Sequence, residues 1–89
     1  MSQYERVKQV LQRTERPLPL HSIHDEIRHH FGVLDSEAAI SARIRDIRHD
    51  LEQSGEGTVY SERVPEKAYH RYRVIASLGA KAQSALFSR

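Results

Sequence analysis

The chain has 89 residues, no cysteine and a formal net charge of +2 at pH 7. This length fits one domain with a limited core, and the lack of cysteine excludes disulfides, thiolate metal sites and a cysteine nucleophile. The sequence has no apolar run near the roughly 20 residues that span a bilayer, and no signal-peptide pattern. We therefore expect a soluble cytoplasmic protein that does not contact membranes.

The first predicted element is a helix near the N-terminus. Ser2 begins an S-x-x-E capping box, in which its hydroxyl would accept from the backbone N–H three residues later. Tyr4, Val7 and Leu11 follow at helical spacing. The pattern predicts a helix that runs to about Arg13.

A second helix is predicted after a short extended segment. Pro17 stops the first helix, because the residue before a proline is pushed out of the α region. Residues 18–20 are long enough for only a very short strand. The second helix should begin near His21 or Ser22 and end at Gly32. Its apolar positions are Leu20, Ile23, Ile27 and Phe31.

The third predicted helix has the most regular pattern in the chain. Its expected N-cap is Asp35 or Ser36, and Gly55 begins the segment that ends it. One narrow apolar stripe is formed by Ile40, Ile44, Ile47 and Leu51. Only a short turn separates this helix from the second one, and that is the outline of a helix-turn-helix.

The other faces of the third helix differ in charge, if each residue turns by about 100°. Opposite the apolar stripe lie two small side chains, Ala38 and Ala42. One flank holds Ser41, Arg45 and Arg48. The other flank holds Asp46 and Asp50, with Arg43 nearer to them. A slim face with an arginine flank is suited to a flat anionic surface.

The period changes after the third helix. Residues 58–64 are rich in β-branched and aromatic side chains, Pro65 begins a turn, and residues 68–75 form a second run of this kind. This pattern predicts a β-hairpin of two strands. We assign residues 1–76 to one domain and expect the alanine-rich tail, residues 77–89, to be a short helix or disordered.

Three helices followed by a hairpin make the chain similar to winged helix-turn-helix DNA-binding domains of small phage and bacterial regulators. Residues 40–48, Ile-Ser-Ala-Arg-Ile-Arg-Asp-Ile-Arg, resemble the recognition helix. Residues 69–74, Tyr-His-Arg-Tyr-Arg-Val, resemble the returning strand of the wing. The resemblance covers about residues 2–75 and implies an α+β fold, a three-helix winged helix-turn-helix with a C-terminal two-stranded β-hairpin wing.

The resemblance further implies that the third helix enters the major groove of double-stranded DNA while the wing lies on the backbone. The candidate contacts of the third helix are Ser36, Glu37, Ala38, Ser41, Ala42, Arg43, Arg45 and Arg48. The candidate phosphate contacts of the wing are Arg63, Lys67, Arg71 and Arg73.

The residue types allow different roles within that set. Alanines let a helix approach base edges, and Arg45 can reach a guanine edge or a phosphate. Glu37 can accept from cytosine N4 or merely complement the helix dipole. Arg73 can contact phosphate or pair with the acids of the third helix. The wing arginines as a group can also serve only to blunt a sheet edge.

Several other functions were weighed against DNA binding. The six histidines lack the convergent ligands of a zinc site and are interpreted as surface side chains, with phosphate contact by His29, His30 or His49 as a minor alternative. No catalytic motif is present, so we expect a non-enzyme without cofactor or metal. The function predicted is that of a transcriptional regulator or an accessory factor of a phage or mobile element. The alternative is a winged-helix module that binds protein without direct DNA contact, and a homodimer formed through the tail is left open.

Overall fold

The computed structural model describes residues 1–77, so the predicted tail lies outside the described residues apart from Ser77. The structure is α+β, with three helices and a three-stranded antiparallel sheet. The elements are α1 (Gln3–Arg13), β1 (Leu18–Pro19), α2 (Leu20–Phe31), α3 (Glu37–Ser54), β2 (Gly57–Arg63) and β3 (His70–Ala76). None of the helices within residues 1–77 is long and apolar enough to cross a membrane.

The sheet has one strand more than the predicted hairpin. Its order is β1-β3-β2, so the last strand is central. The two-residue β1 pairs with β3 through Leu18 opposite Tyr72 and Pro19 opposite Arg71. Residues 18–20 were expected to form a very short strand, and an edge position suits Pro19 because it has no N–H to donate. The hairpin itself is confirmed, with Val59 opposite Val74.

The core lies between the helices and the inner face of the sheet. All four apolar residues of the α3 stripe are buried, as the helical spacing predicts. They pack with buried residues of α1, α2 and both long strands. Within residues 1–77, the buried apolar side chains are Val7, Val10, Leu11, Ile23, Ile27, Ile40, Ile44, Ile47, Leu51, Val59 and Val74.

The helix ends mostly follow the predicted capping residues. The Ser2 hydroxyl accepts from the Glu5 N–H at 3.1 Å, and the Ser36 hydroxyl accepts from the Ala39 N–H at 3.1 Å. Ser36, not Asp35, is therefore the N-cap of α3. Helix α2 begins at Leu20, slightly earlier than predicted, because the chain enters the helix directly after the extended N-cap Pro19.

Asp35 has a different role, which the sequence did not reveal. Its side chain is buried, and its two carboxylate oxygens accept from Arg6 Nε and Nη2 at 3.0 Å each. Gln3 Nε2 donates a third bond to it at 3.0 Å. The Arg6 guanidinium holds the pKa of Asp35 below its usual value. These bonds join α1 to the turn between α2 and α3.

Gly57 lies just after α3, where the backbones of β2 and β3 approach each other closely. A Cβ atom at this position would lie 2.3 Å from the Ile75 carbonyl oxygen, and the backbone has φ +156°. No side chain fits so near to a carbonyl group, so glycine is required where the chain leaves α3 and enters the sheet.

Candidate nucleic-acid interface

The acidic flank of α3 is turned toward α1. The Tyr4 hydroxyl donates to Asp50 at 2.7 Å, and Arg43 pairs with Asp46 at 3.1 Å. Burial, together with the bond to Asp50, raises the pKa of Tyr4 to about 12. Both acids are therefore partnered inside the molecule, and Arg43 is already engaged with one of them. The predicted role of Arg43 as a phosphate contact receives no support from this geometry.

The opposite flank of α3 is turned toward β2. Arg48 donates from Nε and Nη2 to the Val59 carbonyl oxygen, at 3.2 and 3.0 Å. One turn further along the helix, Glu52 accepts from the Thr58 hydroxyl at 2.5 Å. Arg48 binds the helix to the sheet in this way, and its contact with phosphate stays a prediction.

The outward face of α3 carries the remaining candidates. Ala38, Ser41 and Arg45 are exposed, and Ala42 is half-buried. The Arg45 guanidinium makes no hydrogen bond or ion pair within residues 1–77. His49 is also exposed and lies one turn after Arg45. The i, i+4 spacing from Arg45 is the sequence signal that could have assigned His49 to the outward face.

Two further candidates lie where α3 begins. Ser36 accepts from the Ala39 N–H, so the hydroxyl oxygen is already used to cap the helix. Glu37 is exposed and occupies the first turn, where a negative charge complements the helix dipole. The start of α3 is thus well capped by its own residues.

The wing separates its basic residues into two groups. Arg71 is paired with Glu62 across the hairpin, and Arg73 Nη1 donates to the Glu15 carbonyl oxygen at 3.1 Å. The suggested pairing of Arg73 with the acids of the third helix is wrong, because Arg73 points away from α3 and those acids have other partners. Arg63 and Lys67 are exposed and have no side-chain partner in the described part of the chain.

The direction of β2 brings one of these two residues toward the basic flank of α3. Contacts of Thr58 with Glu52 and of Val59 with Arg48 show that β2 runs antiparallel to α3. Arg63 lies on the same strand face as buried Val59, roughly 13 Å further along. Counting back from Arg48, Arg45 lies about 4.5 Å along the helix in the same direction. Arg45 and Arg63 therefore lie on the same side of the junction between Arg48 and Val59.

The wing turn presents Lys67 at its end. The Lys67 N–H donates to the Val64 carbonyl oxygen at 3.1 Å, which closes a tight turn over Pro65 and Glu66. Glu66 adopts φ +65°, a conformation that favours glycine. All residues from 65 to 70 are exposed.

The histidines are distributed over separate contacts. His24 Nδ1 donates to the Asp35 carbonyl oxygen at 2.7 Å, and His30 pairs with Glu26 at 2.9 Å. The His21 ring packs edge-on against Tyr69, with centroids 5.6 Å apart. Within residues 1–77, no three His, Cys, Asp or Glu side chains converge as a metal site.

No protein-family model matches the chain, and no curated protein matches it at a significant level. A function must therefore be inferred from the geometry of α3 and the wing. That geometry divides the predicted basic contacts into four that bind other parts of the chain and three that do not. Among the predicted basic contacts, the three exposed side chains without a partner in residues 1–77 are Arg45, Arg63 and Lys67.

Proposed function

We propose that the protein binds double-stranded DNA as a winged helix-turn-helix domain, with α3 in the major groove and the wing along the backbone. The proposal is supported above all by Arg45, Arg63 and Lys67, the members of the predicted basic set that are exposed and have no side-chain partner in residues 1–77. All three lie on α3 or the wing, the two elements that would meet the DNA. The sequence resemblance adds the class: a transcriptional regulator, or an accessory factor of a phage or mobile element.

Each part of the α3 outward face has a proposed role. Ala38 keeps the face slim enough for the groove, and its methyl group suits contact with a thymine methyl. Ser41 offers a short donor or acceptor to a base edge, and Arg45 binds a guanine edge or a phosphate. These contacts would supply the sequence specificity of the complex.

The wing residues would supply affinity without reading the sequence. Lys67 at the turn and Arg63 on the strand face nearest α3 are placed to bind phosphates. Arg48, Arg71 and Arg73 are positioning residues in this proposal, because their guanidinium groups already bind the sheet, Glu62 and the loop before β1. The DNA-contacting set is therefore smaller than the predicted one.

The test is a titration of random-sequence duplex DNA at two salt concentrations, followed by fluorescence anisotropy. Affinity should fall steeply as salt rises, because bound bases release counterions from the phosphates. Arg45→Ala, Arg63→Ala and Lys67→Ala should each flatten the slope of log affinity against log salt by about one unit. Arg13→Ala is the matched control, since Arg13 is exposed in the last turn of α1, outside α3 and the wing. It should leave the slope unchanged.

Two results would count against the proposal. Absence of binding at low salt would overturn it and leave the protein-binding module as the function. Equal loss of slope in Arg13→Ala would show that charge alone attracts the DNA. If binding is established, selection of bound sequences from a random pool would identify the site and show whether it contains two symmetric halves.

A further inference from the structure

The side of the sheet that faces away from α3 carries exposed apolar side chains. We call it the outer sheet face and define it by Tyr60, Glu62, Arg71, Arg73 and Ile75, with Pro17 at its margin. Tyr60 is 37% and Ile75 43% exposed, although their strand neighbours Val59 and Val74 are buried. A shallow groove between Pro17, Tyr60 and Ile75 runs past Glu62 and Arg73.

The outer sheet face has the composition of a protein interface. Tyrosine and arginine are enriched in such interfaces and lysine is depleted, and this face holds two arginines, a tyrosine and no lysine. The face also carries both signs of charge. Glu62 lies beside Arg71, and the exposed Glu15 has its backbone carbonyl beside Arg73. A surface of mixed sign does not favour DNA.

We propose that the outer sheet face binds the same face of a second copy of this chain. A two-fold interface joins identical patches, so it requires a patch that is complementary to itself. Glu62 lies opposite Arg71 and Arg73 lies opposite Tyr60, so around the two-fold axis Glu62 of one copy can meet Arg73 of the other. The inference does not depend on DNA binding, because it uses neither the α3 outward face nor the wing turn.

The chain's own tail is a poorer occupant of this face. Residues 78–89 contain two bases, Lys81 and Arg89, and no acid. They therefore offer no acid to Arg73, whose guanidinium has the Glu15 carbonyl oxygen as its hydrogen-bond partner in residues 1–77. A second copy brings Glu62 and Glu15 and satisfies that charge requirement.

The size of the face sets the expected strength of the dimer. Stable interfaces bury about 800 Å² on each partner, contributed by roughly 20–30 residues a side. The outer sheet face is only a few side chains wide and belongs below that class. We therefore expect a weak dimer that forms in the micromolar to millimolar range and that would be favoured when two copies occupy adjacent DNA half-sites.

Sedimentation equilibrium of the full chain, from micromolar to millimolar concentration, tests the inference. The average mass should rise with concentration from 10.3 kDa toward twice that value. Ile75→Glu should weaken the association at least about tenfold, since it places a charge in the apolar centre. Leu34→Glu is the matched control, because Leu34 is 73% exposed in the turn between α2 and α3 and lies off this face. It should associate like the wild type.

A charge exchange gives a second and sharper readout. Glu62→Arg and Arg73→Glu should each weaken the dimer, and the double exchange should restore it, because an acid again meets an arginine across the two-fold axis. Urea unfolding of each variant establishes that the monomer is folded. If Ile75→Glu does not fold, Ile75→Thr keeps a β-branched side chain and replaces it in the comparison.

Three outcomes would overturn the inference. The first is a monomer at every concentration, which would leave the face to another protein or to the chain itself. The second is association that persists unchanged in Ile75→Glu and in Glu62→Arg. The third is association that is lost in Phe87→Glu but kept in Ile75→Glu, which would assign the dimer to the tail.

Discussion

Two turns of similar length differ in how firmly they are bonded to the rest of the molecule. The turn between α2 and α3, residues 32–36, holds the buried carboxylate of Asp35, which accepts three hydrogen bonds from α1. The wing turn, residues 64–69, is mostly exposed and includes Glu66 in a conformation that favours glycine. One turn is fixed to a distant helix, and the other is closed only by its own hairpin.

The difference teaches which connection determines the position of α3. A turn alone leaves the angle between two helices adjustable, and the bonds from Gln3 and Arg6 remove that freedom for α2 and α3. The wing turn makes no comparable contact, apart from the packing of Tyr69 on His21 at the start of α2. Its exposed bases remain free for a ligand.

The largest expected effect comes from breaking the fixed turn. Asp35→Ala should lower the free energy of unfolding by about 3–5 kcal/mol, because Arg6, only 15% exposed, would lose its carboxylate partner and keep only the bond to the Met1 carbonyl oxygen. Urea unfolding followed by circular dichroism measures it. Asp46→Ala removes an exposed acid from an i, i+3 pair and should cost less than about 1 kcal/mol. Equal losses in the two variants would contradict a special role for the fixed turn.

The Asp35 carboxylate should also make the free energy of unfolding depend on pH. The pKa of Asp35 is lower in the folded protein than its ordinary value of 3.8, chiefly because of the bond from Arg6. Its contribution is therefore complete above that ordinary value and is lost as the pH falls through the lower, folded pKa. The difference in unfolding free energy between wild type and Asp35→Asn should shrink as the pH falls from about 5 to about 2. This range brackets the reference aspartate pKa of about 3.9. A constant difference across this range would show that the pKa of Asp35 is the same in the folded and unfolded states.

The smallest expected effect comes from removing the backbone strain at Glu66 in the wing turn. Glu66→Gly should raise the free energy of unfolding by up to about 1 kcal/mol, because glycine adopts φ +65° without steric cost. The gain is reduced because glycine also adds freedom to the unfolded chain. Lys67→Gly, one residue later, is the control and should give no gain. A loss of stability in Glu66→Gly would indicate that the glutamate side chain stabilises the turn.

Much of the fold could be predicted because it depends on local spacing. The stripe from Ile40 to Leu51 repeats at three and four residues, and all its members are buried. Capping patterns identified Ser2 and left only two choices at the start of α3. The third strand was anticipated as an extended segment, but its pairing with β3 joins residues more than fifty positions apart, and spacing holds no information about that.

The candidate site was predictable in part, for a related reason. Helical periodicity placed Ala38, Ser41 and Arg45 on one side of α3, and all three are exposed. It could not show that Arg48 binds the Val59 carbonyl group or that Arg73 binds the loop before β1, because both bonds depend on tertiary contact. The sequence alone does not distinguish an arginine that stabilises the fold from an arginine that faces solvent.

The bond from Arg48 to Val59 has a consequence for the energetics of any ligand that contacts both α3 and the wing. The guanidinium group joins the two elements before the ligand arrives, so their relative orientation is already restricted in the free protein. The conformational entropy of that restriction is lost during folding and not again on association. Helix and strand would then approach their target as one preorganised body, and a variant at position 48 would weaken binding without removing a single contact to it.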